Sequence, residues 1–367
     1  MKKVILYSLL LLFARIASGQ DFHWSQYQAT PFYTNPSYTG LFDAEHLRKT
    51  IRATLNWRQQ WRTIRSDYVS NATPFSTYSF ALDGNISRLP LMGQDIIGLG
   101  MAIYKDEAGD LNLSTNQVNL YFAYHKAIQQ REDRFISLGM NYGYANKYID
   151  FSKATFDNQW DGQHYNPLSA SGEYAQNFSK GYTDFSIGLS HYVAPHYGTK
   201  MRTGIAGLHL NKPSQSIYTT GTPMYQHWII NHDMVIPAWG KWDYLPSILL
   251  MKQGPASEAI IFNAFRLDFT KNDYHQFGIA YRLVGNYKTP INHDALYLAY
   301  KLGLNKWSVG FSYDINVSHL NAATTTVGAF EIAIIYHDNP FNKPKGKHHR
   351  SKIKCPDVHP VQGKRNR

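Results

Sequence analysis

From residue 50 to 338 apolar side chains recur at every second position. In "WSVGFSYDINVS", Trp307, Val309, Phe311, Tyr313, Ile315 and Val317 alternate with Ser308, Gly310, Ser312, Asp314, Asn316 and Ser318. A period of two places the first set on one face of a strand and the second on the other. The same alternation marks Ile97-Leu99-Met101-Ile103, Ile136-Leu138-Met140-Tyr142-Tyr144, Phe185-Ile187-Leu189, Phe277-Ile279-Tyr281-Leu283 and Leu296-Leu298-Tyr300-Leu302. Candidate strands fall near 50–62, 74–86, 94–106, 113–126, 134–147, 183–194, 199–211, 225–238, 241–252, 257–269, 273–284, 293–304, 306–317 and 325–337.

A soluble β-sandwich also alternates, so length must separate the two architectures. Most candidates run about 12–14 residues, against about 5–6 for a typical globular strand. A tilted membrane strand needs about 9–11 residues within the hydrocarbon. An even number of long antiparallel strands predicts an all-β fold, a transmembrane antiparallel β-barrel of about 14 strands, which leaves no unpaired edge in lipid. The 27 tyrosines suit rings that sit at two membrane–water boundaries. A mean hydropathy of −0.41 is too polar for a helical membrane protein and ordinary for a barrel with a wet lumen. Glycines recur on the inward face of the clearest strands, as a narrow lumen requires.

Strand parity sets the expected orientation. If both ends of the barrel chain are periplasmic, the odd-to-even connections face outside, and the longest of these is 148–182. Its Phe156, Trp160, Tyr165 and Tyr174 are the candidate partner-binding loop residues. The other connections, "GNISRLPLMGQ", "AIQQRED" and "NKW", are short, as periplasmic turns should be.

The chain opens "MKKVILYSLLLLFARIASGQ": two lysines, an apolar run and a small-residue site at Ala17-Ser18-Gly19. This pattern predicts a secretory signal peptide over 1–19, cut before Gln20. The apolar run is too short to cross a bilayer core of about 30 Å. The only cysteine is Cys355, so no internal disulfide is possible.

A net charge of +11 invites a nucleic-acid reading until it is located. Lys2, Lys3 and Arg15 belong to the signal, and residues 339–367 hold nine Lys/Arg against Asp357 alone. Residues 20–338 carry 25 basic and 25 acidic groups, so no nucleic-acid partner is expected. The ending, "NPFNKPKGKHHRSKIKCPDVHPVQGKRNR", reads as a basic disordered periplasmic tail.

No motif asks for an enzyme: there is no G-x-S-x-G, H-E-x-x-H or P-loop. Ser190 and His191 are neighbours on one strand and point to opposite faces, so they cannot form a dyad there. The 16 histidines are scattered without ligand spacing, and no metal or cofactor is expected. Arg52, Asn56, Arg58 and Arg62 share one parity on the first strand and predict a lumen ladder paired with acids such as Asp83.

Between signal and barrel lies a segment over 20–49 that has neither period. Its "QYQATPFYTNPSYTG", residues 26–40, carries Tyr27, Phe32, Tyr33 and Tyr38 with Pro31 and Pro36. The expectation is an ordered plug or collar in the lower mouth of the barrel. The prolines would hold the chain extended, and Gly40 would permit a bend toward the first strand.

This segment also carries a resemblance. Ser25-Gln26-Tyr27, Pro31, Asn35-Pro36, Tyr38-x-Gly40 and then Trp57-Arg58-x-Gln60-Trp61 resemble the start of the PorP/SprF family of type IX secretion system membrane proteins. Thr30 and Ser37 depart from the family's usual Asn and Ala at those places. The resemblance implies a non-enzymatic barrel in the outer membrane of a Gram-negative bacterium, with both termini periplasmic. It further implies help in exporting or anchoring a secreted surface protein, such as a gliding adhesin, that carries a C-terminal sorting domain. Other type IX components, reached through the basic tail, would be further partners besides outer-membrane lipid. A passive channel or solute transporter is the alternative that the barrel class alone allows.

Overall fold

In the computed structural model, fourteen strands close into one barrel. They are β1 (Ile51–Gln60), β2 (Phe75–Ser87), β3 (Ile96–Ala108), β4 (Leu113–Gln129), β5 (Asp133–Ile149), β6 (Phe178–Ala194) and β7 (Lys200–Leu208). The second half holds β8 (His227–Pro237), β9 (Trp242–Gln253), β10 (Ala256–Asp268), β11 (Tyr274–Gly285), β12 (Asn292–Leu304), β13 (Trp307–Asn316) and β14 (Val327–Asp338). The structure describes residues 21, 23–42, 50–61, 74–87, 94–109, 113–129, 133–151, 156–164, 166, 168–170, 172, 178–195, 198–215, 223–270, 273–286, 291–318 and 327–338. The expected signal peptide, the tail over 339–367, Arg62, Tyr165 and Tyr174 lie outside the described residues.

Each strand pairs antiparallel with its neighbours in sequence, and β1 closes the ring on β14, from Ile51 opposite Asp338 to Gln60 opposite Ala329. The fourteen strands sit where the alternation predicted them, with ends shifted by a few residues. The largest shift is at β6, which begins at Phe178 because Ser179, Lys180 and their neighbours continue the ladder with β5 beyond the clear apolar alternation. No helix among the described residues is long and apolar enough to cross a membrane.

The two faces of the wall have opposite chemistry. Leu55, Leu82, Leu99, Leu120, Phe122, Leu138, Ile230 and Leu298 are exposed on the outside, while Arg52, Asn56, Asp83, Asn119, His125, Asp184 and Glu331 are buried inside. A soluble fold has the reverse arrangement. An apolar belt around a polar interior is what a bilayer-spanning barrel requires, because lipid can satisfy no polar group. Exposed rings flank the belt at both ends, Trp239 and Trp307 at one and Phe75 and Trp228 at the other.

The connections also differ by end. One rim carries the short turns 195–199, 238–241 and 305–306, together with both ends of the barrel chain at Ile51 and Asp338. The opposite rim carries the long connections 150–177 and 209–226 beside the short ones 109–112 and 254–255.

Candidate functional site: the lumen and the segment inside it

The described residues of the N-terminal segment lie within the barrel, and their contacts trace a path from one rim to the other. At the short-turn rim Leu41 packs with Phe135, Tyr192 and Ala194, and the Phe42 ring meets His337 edge-on at 6.1 Å. Gly40 takes a φ of 72°, a left-handed backbone open to glycine at little cost. A Cβ there would also overlap the backbone of Gly98 and Gly84. Its N–H donates to Asp83 Oδ2 at 2.7 Å, and its carbonyl accepts from Asn85 Nδ2 at 2.9 Å. Asp83 is at the same time held by Arg52, through Nε at 2.9 Å and Nη2 at 2.7 Å. The Arg52–Asp83 pair expected from strand parity is therefore present. Its guanidinium also lies over the rings of Phe32 and Phe42, at 5.5 and 5.2 Å.

In mid-lumen the prolines do not hold the chain extended, as sequence alone suggested. Pro31 opens one helical turn, Pro31–Thr34, and Pro36 opens a 3-10 turn, Pro36–Tyr38. Both stand at the first helical position, where a fixed φ fits and a missing N–H costs nothing. Asn35 joins the turns: its Oδ1 accepts from the Ser37 N–H at 3.0 Å, and its Nδ2 donates to the carbonyls of Leu189 and Ile205, both at 3.3 Å. Such outward bonds from a wall strand need close approach. Gly98, Gly139, Gly188 and Gly204 supply it on β3, β5, β6 and β7. A Cβ on these glycines would strike, in order, the Thr39 carbonyl, the Pro36 backbone, the Asn35 side chain and the Tyr38 hydroxyl. The inward glycines thus form a lane shaped to residues 35–39. Tyr38 completes the dock, donating to Asn231 Oδ1 at 2.6 Å beneath the Arg202 guanidinium, 4.3 Å from its ring centre.

The densest charge lies beside Ser25 and Gln26. Arg58 Nη2 reaches Asp314 at 3.0 Å and Nη1 reaches Glu331 at 3.3 Å, with all three side chains almost wholly buried. Arg282 binds the same Asp314 oxygen at 3.2 Å, and Asn56 donates to Glu331 at 3.0 Å. The segment supplies the remaining partners. Ser25 Oγ accepts from Arg58 Nη1 at 2.5 Å and donates to Asp314 at 2.7 Å, while the N–H groups of Ser25 and Gln26 donate to Glu331 at 2.8 and 3.0 Å. A buried charge group is stable only when its remaining hydrogen-bonding capacity is met. Here the segment supplies partners to Arg58, Asp314 and Glu331, while Arg282 Nη1 stays buried without one among the described residues. Gln26 Nε2 also donates to the Glu331 carbonyl at 3.1 Å, and the Tyr27 hydroxyl bonds to Ser247. Ala29 packs on Ala333 and Ile335.

The first described residue, Asp21, is close to the long-connection end. Its Oδ2 lies 2.6 Å from His209 Nε2 and 3.1 Å from His227 Nδ1, at the end of β7 and the start of β8. Burial would raise its pKa, but the two histidines outweigh that and hold the carboxyl well below its usual range. Burial would likewise lower His209, yet Asp21 and Asp184 outweigh it and hold the imidazole above its ordinary value. Sequence reading placed this segment in the lower mouth; its contacts run the depth of the lumen. Asp21, His209, Asp184, Gln60 and Trp61 line a cavity of about 470 Å³. Trp61, with a φ of 58°, packs against Phe75 with ring centres 5.0 Å apart and planes inclined at 60°.

Of the candidate partner-binding loop residues, the two described, Phe156 and Trp160, are apart from this constellation. Phe156 precedes a 3-10 turn, Asp157–Gln159, and Trp160 is half exposed just after it. Gln159 ties the loop to itself, accepting from the Phe156 N–H at 3.0 Å and donating to the Ser169 carbonyl at 3.1 Å. Ser190 and His191 do lie on opposite faces, Ser190 buried and bonded to Ser37 at 2.7 Å.

Sequence named Ser25 only as part of the family motif and did not join it to Asp314 or Glu331, although one signal existed. Glu331 is the lone acid in the apolar strand "TTVGAFEIAIIY", and its parity is inward. Asp21, His209 and His227 had no such signal, being far apart with no ligand spacing.

The family model described as "Type IX secretion system membrane protein PorP/SprF" matches residues 16–336. No curated protein sequence matches the chain. Among solved structures, a Pseudomonas aeruginosa FadL homologue is similar at a TM-score of 0.46 and 10% identity, over 84% of this chain and 94% of that one. The Ralstonia pickettii toluene transporter TbuX is similar at 0.45 and 9%, over 85% and 93%. The CymD monoaromatic hydrocarbon channel is similar at 0.41 and 11%, over 85% and 92%.

Proposed function

Because the chain belongs to the PorP/SprF family of type IX secretion system membrane proteins, we propose that this outer-membrane barrel is closed by its own N-terminal segment. In this reading it passes no solute. It holds, or helps to export, a surface protein such as a gliding adhesin through that partner's C-terminal sorting domain. The supporting observation is the occupied lumen: residues 24–42 are buried against lumen-facing side chains almost throughout, and buried wall charges depend on Ser25 and Gln26 for partners. A solute channel would have to expel this segment and leave Arg58, Asp314 and Glu331 without those bonds, at a cost of the order of several kcal/mol.

The short-turn rim is assigned to the periplasm, where short turns belong. The basic tail then leaves the barrel on the periplasmic side, suited to an acidic component of the secretion apparatus, and the attraction should weaken with salt. The start of the mature chain lies inside the lumen under this assignment, which revises the expectation of a periplasmic N-terminus. The long-connection rim, with Phe156, Trp160, Tyr165 and Tyr174, becomes the surface offered to the partner.

Affinity purification of the full-length protein from detergent extracts of its native membrane tests the proposal. A large surface protein ending in a sorting domain should copurify, and its surface display should fall when the barrel gene is deleted. An unchanged surface proteome together with no such partner would remove the proposal.

A further inference from the structure

We infer that Asp21, His209 and His227 form a binding site for one divalent transition-metal ion, which pins the start of the N-terminal segment to the ends of β7 and β8. Three independent features carry this. The first is the donor set: one carboxylate oxygen and two imidazole nitrogens, from three separate parts of the chain, lie within 4.8 Å of one another. Two histidines and a carboxylate are a ligand set that suits zinc, with a fourth position left to water or another group.

The second feature is the support around the donors. Asp184 Oδ1 accepts from His209 Nδ1 at 2.9 Å, which leaves Nε2 directed at Asp21. A carboxylate behind a ligating imidazole is the usual device for fixing its tautomer and orientation. Gln253 grips Asp21 from both sides, its Nε2 donating to Oδ2 at 3.1 Å and its Oε1 accepting the Asp21 N–H at 3.0 Å. His209 itself has a φ of 56°, a backbone that a non-glycine residue seldom adopts without a reason.

The third feature is access. Asp21 and His209 line the cavity of about 470 Å³, so the fourth position opens onto a space wide enough for water. His23, two residues along on the same wall, has a buried Nε2 with no hydrogen-bond partner among the described residues.

The fit requires movement of the histidines. Tetrahedral ligation at about 2.0–2.2 Å separates donor atoms by roughly 3.3 Å. The present separations from Asp21 Oδ2 are 2.6 Å to His209 and 3.1 Å to His227, so His209 must withdraw from Asp21 by less than an ångström, and the two imidazole donors, within 4.8 Å of each other, must settle at the same spacing. Bonds to the ion then replace the His209–Asp21 and His227–Asp21 hydrogen bonds, the protons on His209 Nε2 and His227 Nδ1 leaving to solvent or, for His227, to its other ring nitrogen, while the bonds with Asp184 and Gln253 remain.

Zinc chloride titrated calorimetrically into the full-length, chelator-treated barrel in detergent tests the site, in a background where His348→Ala and His349→Ala remove the histidine pair of the tail. One ion per chain should bind, with two imidazoles in its X-ray absorption spectrum. Asp21→Asn and His227→Gln should each weaken binding at least about tenfold, and Asp184→Asn, a positioning change, by about 10–100-fold. Retained heat-modifiable migration on gels confirms that the variants are folded. Absence of zinc binding, or equal binding by the folded Asp21→Asn variant, would overturn the site and leave a hydrogen-bonded latch. Neither result bears on whether the barrel engages a sorting domain.

Discussion

Arg58 shows how a single residue joins wall and segment. It contacts Asp314 on β13, Glu331 on β14 and Ser25 of the N-terminal segment, with its side chain almost wholly buried. Removing one partner of such a group leaves opposite charges buried without compensation, which typically costs about 3–5 kcal/mol. Arg58→Met should therefore lower the stability of the folded barrel by that amount in urea unfolding, and should open residues 21–42 to proteolysis. Normal stability with a protected segment would show that the Ser25 bonds are incidental. Arg58 was visible in sequence because Arg52, Asn56 and Arg62, at i−6, i−2 and i+4, gave it a face. Ser25 was visible only as part of the family motif; its bonding role was not, because the charges it bridges arrive some 300 residues later, as in the Ser25–Glu331 bond across 306 positions.

At the level of elements, strand alternation was legible and the segment's conformation was not. A lipid-facing strand must be apolar at every second residue whatever the lumen holds, so β13 declares itself in one line of sequence. The turns at Pro31 and Pro36 depend instead on Asn35, whose side chain serves both the local turn and the carbonyls of β6 and β7. That dual role exists only once the barrel has closed. The glycine lane has the same origin. Gly139 reads in sequence as a small lumen residue, and in the fold it is the space that the Pro36 backbone occupies. Gly139→Val keeps strand propensity but forces two backbones apart. The barrel should still assemble and show heat-modifiable migration, while residues 26–40 lose protection against proteolysis by at least about tenfold, as a displacement worth 1.4 kcal/mol or more would give. Unaltered protection would mean that the segment does not depend on this lane.

For the whole molecule, the proposed sidedness rests on which rim holds the long connections, and the proposed closure on what fills the lumen. The apolar belt, the inward charges and the family membership place the barrel in the outer membrane; in the proposed function, the segment within it separates a holder of proteins from a pore. Conductance across a planar bilayer tests that distinction most directly. The full-length barrel should insert without steady open-channel steps, and a variant lacking residues 21–42 that retains heat-modifiable migration should show them. Steady conductance by the intact protein, equal to that of the deletion, would contradict a lumen closed by its own N-terminal segment.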